Sequence, residues 1–272
     1  MDERDYGQGS LSLVKHRRTG LEPGPRGTAL NDAQSTHGEI AALALKERGY
    51  LAMGGQMIDA SIIEAPRQRN TAAEKDDLKA GRIPEDWAAR PAKLRQKDRD
   101  GRWTLKRGRR KRRPDGTLMA EIATPAYGYK SHIGADRRYW FIRKWAVTDA
   151  ARHDGRELGG LLDGSNTASP VWADTAYRSA RNEKRIARAG LVSKLHFRKP
   201  SGKPMPEAER RANATRSRPR SAIEYVFAEQ KHRMGLVIRT IGIARARTKI
   251  GMANIAHNLR RYVFWEGKVV PA

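Results

Sequence analysis

Three short apolar runs set the limits on what this chain can fold into: MIDASII (residues 57–63), YWFIRKWAV (139–147) and VWADTAY (171–177). Each has the length and residue mix of a β-strand, and helical or turn patterns lie between them. In the second run Tyr139, Phe141, Arg143, Trp145 and Val147 alternate with Trp140, Ile142, Lys144 and Ala146, the period of two that strand geometry imposes. An Asp-Arg pair just before it predicts a hairpin turn joining it to YKSHIG (129–134). A helix is predicted through RELGGLL (156–162), with Asp154 near its start, and another from Ser179 to Arg188. A strand in LVSKLHF (191–197), a strong helical pattern in SAIEYVFAEQKHRM (221–234) and a last helix from Thr248 to Tyr262 follow. This order predicts an α/β protein, a mixed sheet flanked by helices, with carboxylates at strand ends.

The remaining segments read differently. Residues 1–36 are rich in Gly, Pro and charge and are expected to be irregular; a short helix over 39–48 leads into the glycine-marked turn GYLAMGGQ. Residues 66–117 are polar and without periodicity, so a functional insertion or loop is expected there rather than packed structure. The basic stretch 198–220 is likewise read as a loop. The expected division is an irregular region over 1–47, one domain over 48–265 with the basic insertion at 66–117, and a tail at 266–272.

Fifty-five Lys and Arg against 30 Asp and Glu give a formal net charge of +25. Such an excess points to a polyanionic partner, since each phosphate neutralised releases condensed counterions. Its densest expression is Lys106, Arg107, Arg109, Arg110, Lys111, Arg112 and Arg113, enough to grip a DNA backbone. The chain has no cysteine, which removes disulfides, Cys-ligated zinc and thiol nucleophiles together. No apolar run approaches membrane-spanning length and no signal-peptide core opens the sequence, so a cytoplasmic protein is expected.

Three acids stand in apolar settings: Asp59 inside MIDASII, Asp174 at the end of VWAD, and Glu224 between Ile223 and Val226. A buried carboxylate needs hydrogen bonds, a cation or a metal. Gathered from two strands and a helix, the three would form a hard oxygen site suited to magnesium or manganese. Taken singly, each could instead be an edge or surface carboxylate. Arg220, Glu224 and Lys231 fall on one helical face, which fits an acidic metal ligand flanked by phosphate grips, or equally a solvated face with an i,i+4 ion pair. His132 and His153 flank predicted strands and are read as structural, as are Trp103, Trp140, Trp145 and Trp172. Asp149 and Asp154 are rival carboxylates.

The blocks GYLAMGGQMIDASIIEAPRQRN, PAKLRQKDRDGRWT, YGYKSHIGADRR, TDAARHDG, VWADTAYRS, RSAIEYVFAEQKHRMGLVIRTIG and RARTKIGMANIAHNLRR together resemble the DDE transposases of the insertion-sequence-five group, over roughly residues 48 to 265. The resemblance implies an RNase H-like fold and a catalytic triad of Asp59, Asp174 and Glu224 holding Mg2+ or Mn2+. It implies strand cleavage at element ends and attack of a 3′-hydroxyl on target DNA, with double-stranded DNA as partner, a homodimer in the DNA complex and a nucleoid location. The family signature around the last acid runs Tyr, two residues, Arg, three residues, Glu, six residues, Lys. Arg220, Glu224 and Lys231 satisfy it, and Ser217 stands at the Tyr position. Fewer than fifty residues precede the match, where relatives carry a longer helical region for binding terminal repeats, so a truncated copy is expected. A metal-dependent nuclease of the same fold, or a non-catalytic DNA-binding remnant, are the alternatives.

Overall fold

The computed structural model describes residues 43–107, 113–117 and 123–269. One long strand organises the sheet. β3 (Ala123–Asp136) runs antiparallel to β1 (Gln56–Glu64) along one edge. Along the other it pairs first with β2 (Arg102–Arg107) and then with β4 (Ile142–Asp149). The change of partner falls at Gly128, which faces Arg102 on one side and Glu64 on the other. Its φ is +145°, and a Cβ there would collide with the Ile63 carbonyl oxygen, so only glycine lets the strands close up. Beyond β1 the sheet continues with β5 (Pro170–Trp172) and β6 (Val192–Ser193), both parallel to it. The sheet is mixed and six-stranded, as the sequence predicts a mixed sheet.

The β3–β4 hairpin follows from Asp136. Its buried carboxylate accepts from the Tyr139 N–H (2.7 Å), the Phe141 N–H (3.2 Å) and the Arg143 guanidinium (3.0 Å). Burial raises its pKa, with Arg143 opposing. The turn extends further than the alternation in 139–147 suggests. Trp140 has φ +66°, and regular pairing begins only at Ile142.

Helices cover both faces. α6 (Glu207–Ala228) lays Ile223, Val226 and Phe227 on Met57, Ile133 and Trp172. α7 (Ile243–Val269) places Ala246, Ile250 and Ala253 against Tyr127, Tyr129 and Val147. On the opposite face α4 (Leu158–Leu161) and α5 (Ala180–Arg188) enclose Ile58, Val171 and Tyr177 with Leu158, Leu161, Ile186 and Leu195. The odd positions of β1 therefore face α6 and the even positions face α4 and α5, the two-sided burial of an inner strand.

Two expectations are corrected. The stretch 66–117 is not without packed structure: α1 (Ala72–Lys79), α2 (Glu85–Ala88), α3 (Pro91–Gln96) and β2 lie in it. Trp87 is fully buried, its indole N–H donating to Glu74 at 2.6 Å, and buried Asp98 accepts the Tyr129 hydroxyl at 2.7 and 2.8 Å. The basic stretch 198–220 is also helical from Glu207 onward. Asn213 there accepts from the Phe197 N–H at 2.8 Å and donates to its carbonyl at 3.1 Å, and Arg216 lies over the Phe197 ring. These anchors hold a helix whose polar sequence and internal Pro219 hide it. Of the predicted strand at 191–197 only Val192–Ser193 is regular, although the Lys194 and His196 N–H groups go on donating to the Val171 and Ala173 carbonyls. The readings for residues 1–42 and 270–272 lie outside the described residues.

Candidate active site

Asp59 occupies the middle of β1 on the face turned toward α6, opposite Ile133. Its Oδ1 accepts from the Ala60 N–H at 2.8 Å and its Oδ2 from Arg220 Nη1 at 2.9 Å. The other guanidinium nitrogen, Nη2, donates to Glu224 Oε1 at 2.6 Å. One arginine thus joins two of the three acids, one from the sheet and one from α6. Asp59 and Arg220 are largely covered, at 14% and 18% side-chain exposure, while Glu224 is open at 59%. Burial pushes the Asp59 carboxyl up to about 7; Arg220 and the Ala60 N–H pull against this, and the nearby Asp174 and Glu224 add to it.

Asp174 follows β5, the strand parallel to β1, and caps the 3₁₀ turn Thr175–Tyr177 by accepting from the Ala176 N–H at 2.8 Å. A carboxylate at the C-terminal end of a strand beside a parallel neighbour is where open α/β sheets gather ligands. Among the described residues no three His, Cys, Asp or Glu side chains converge closely enough to share one metal ion. The donor chemistry nonetheless fits a divalent cation. Two hard carboxylates already share one cation, the Arg220 guanidinium, and the third bears electrostatically on Asp59.

Beyond Glu224, α6 passes into a π-helical turn, Glu229–Arg233, a local widening often found at functional sites. It turns Lys231 to the sheet, where Nζ donates to the Ser61 hydroxyl at 2.5 Å, two residues from Asp59. Burial and then the charge of Lys106 lower the Lys231 pKa, which places these two predicted DNA-binding lysines within range of each other. Lys106 is exposed at the end of β2, and Arg113 is exposed as well. Arg109, Arg110, Lys111, Arg112 and the side chain of Arg107 lie outside the described residues. Arg220 faces the acids rather than solvent.

Ser217, at the family's Tyr position, donates to the Asn213 carbonyl at 2.9 Å and stands 3.4 Å from His196. His196 lies near Arg220 and Asp174, a placement that the sequence pattern does not reveal. Its N–H donates to the Ala173 carbonyl, and burial, then Arg220, lower its pKa while Asp174 raises it. Only its place three residues beyond β6, the strand parallel to β5, could have flagged it. His132 and His153 are structural, as expected. The first is buried against Thr148 at 2.8 Å and the second caps its own turn through Gly155. Asp154 pairs with Lys130 and Asp149 caps the turn at Ala151 and Arg152.

A mixed sheet in the strand order described, helices on both faces, and acids on the central strand, after its parallel neighbour and on the covering helix define an RNase H-like protein of the DDE class. The family model described as transposase DDE domain matches residues 52–259, and the chain belongs to that family. It is 26% identical over 201 residues to the transposase for insertion sequence element IS1106 of Neisseria meningitidis serogroup B. The match takes in 73% of this chain, which spans 62% of that relative's length. No solved structure matches the chain.

Proposed function

We propose that this chain cuts and joins double-stranded DNA at the ends of an insertion-sequence element, with Asp59, Asp174 and Glu224 as the catalytic carboxylates for Mg2+ or Mn2+. The observation that carries the reading is the shared guanidinium. Asp59, buried on β1, and Glu224, on the helix above it, already converge on one positive charge. A divalent ion bound there would offset charge developing on the attacking and leaving oxygens of a phosphodiester. For that, Arg220 must yield part of its hold and Asp59 must be ionised, and a divalent ion entering there would itself favour the ionised carboxylate. Lys231, held at Ser61 on the Asp59 face of β1, and Lys106, near enough to bear on it, supply positive charge for the flanking backbone. The basic run 107–113 adds to this grip in the proposal, and a nucleoid-associated cytoplasmic location goes with it. No helix among the described residues is long and apolar enough to cross a membrane.

The test is strand cleavage of supercoiled and linear DNA in magnesium by Asp59→Ala, Asp174→Ala and Glu224→Ala, with DNA binding measured alongside. Cleavage is expected to vanish in all three while salt-sensitive binding persists. Full cleavage by Glu224→Ala would remove that residue from the site.

A further inference from the structure

A cavity of about 320 Å³ opens beside Ala176, two residues after Asp174, and plays no part in the arrangement above. Five arginines line it and no carboxylate does: Arg156 before α4, Arg178 after the 3₁₀ turn, Arg181 and Arg185 on α5, and Arg198 beyond β6. Arg178 is committed, donating to the Leu195 carbonyl at 2.7 Å, standing 3.5 Å from Glu183 and stacking on Phe197. The other four guanidiniums make no hydrogen bond or ion pair with any described residue. The half-buried Arg185 lies flat against Gly159, where an added Cβ would come within 2.6 Å of its Nη1. Glycine at 159 thus leaves room for a charge that meets no acid.

Gathering like charges around one cavity is unfavourable unless an anion enters it. The planar donor fork of arginine matches phosphate oxygens two at a time. The cavity also has a fixed relation to the candidate active site. Ala176, whose N–H is held by Asp174, lines it as well, so both are built on one three-residue turn.

We propose that this arginine cavity binds backbone phosphate of the DNA strand that flanks the bond presented to Asp174. The placement of the strand rests on the proposed function above; the anion chemistry of the cavity does not. The site is sequence-blind, since it offers guanidiniums to phosphate and nothing to base edges. It would hold the strand in register across the sheet from the lysines at 106 and 231.

The experiment measures binding of a short random-sequence duplex to the full chain across a salt series in EDTA, so that no cleavage contributes. Arg181→Gln combined with Arg198→Gln removes two exposed charges from the cavity. The slope of log K against log salt is expected to become shallower by about 1.8, at about 0.9 for each phosphate no longer neutralised. Arg156→Gln alone should change it by about 0.9. Lys75→Gln with Arg95→Gln, exposed on α1 and α3, is the control and should leave the slope nearly unchanged. An unchanged slope in the cavity variants, or an equal change in the control, overturns the proposal. Inorganic phosphate separates the two sources of the anion. If it protects the wild type against heat while the cavity variants bind DNA like wild type, the cavity is a free-anion site and the proposal fails. Because binding is read without divalent ions, loss of the catalytic reading and loss of this one are seen separately.

Discussion

Replacing Asp59 with Asn should stabilise the protein above neutral pH and leave it unchanged in acid. The carboxyl ordinarily titrates at 3.8, and burial under α6 pushes it to about 7. Below 3.8 the side chain is protonated in both folded and unfolded chains, so its contribution is fully present. As pH rises toward 7 the unfolded chain ionises first and the folded state loses stability. The gap between 3.8 and about 7, at about 1.4 kcal/mol per pH unit, is about 4 kcal/mol. Asn keeps a carbonyl for Arg220, which still pairs with Glu224, so the geometry survives the substitution. In a chain of this size about 1 kcal/mol moves Tm by roughly 2–4 °C, which makes the expected difference roughly 8–16 °C at pH 8 and near zero at pH 4. Thermal melting of both chains over that range is the assay, followed by magnesium at pH 8, which should raise the wild type alone. A gap that stays flat from pH 4 to 8 would refute the reasoning, because the carboxyl would then be solvated in the folded state.

Two further outcomes follow from the packing. Trp87→Ala should destabilise the chain by about 3–5 kcal/mol, seen as a lowered denaturant midpoint, because Trp87 is fully buried and hydrogen-bonded to Glu74; a loss below about 1 kcal/mol would return α1–α3 to the status of a loose insertion. Burial lowers His132 from 6.5 to about 4, so its stabilising contribution is present above 6.5 and lost as pH falls through 4. Relative to a His132→Asn variant, the wild type should lose about 3 kcal/mol between pH 7 and pH 4, and parallel melting curves over that interval would contradict it.

The central sheet was legible because its strands carry apolar density that few other structures tolerate. MIDASII and VWAD announce β1 and β5 together with their acids, and the Asp136–Arg137 pair announces the hairpin whose turn Asp136 holds. The helices at 72–96 were not legible. Elements of four to eight residues are too short to display a helical period, and their burial depends on Trp87, Asp98 and partners distant in sequence. The first half of α6 escaped for the opposite reason, since its polar residues and Pro219 read as loop while Asn213 and Arg216 fasten it to Phe197. At the candidate site, position and family resemblance single out the acids and Lys231. The bridging role of Arg220 and the nearness of His196 arise only when α6 crosses the sheet.

The most direct measurement is anomalous diffraction from crystals of the chain bound to DNA and soaked in manganese. The account predicts density within coordination distance, about 2.1–2.4 Å, of Asp59, Asp174 and Glu224 oxygens, with Arg220 withdrawn from Asp59. Manganese absent from that position at saturating concentration, with Arg220 still bridging Asp59 and Glu224, would contradict it.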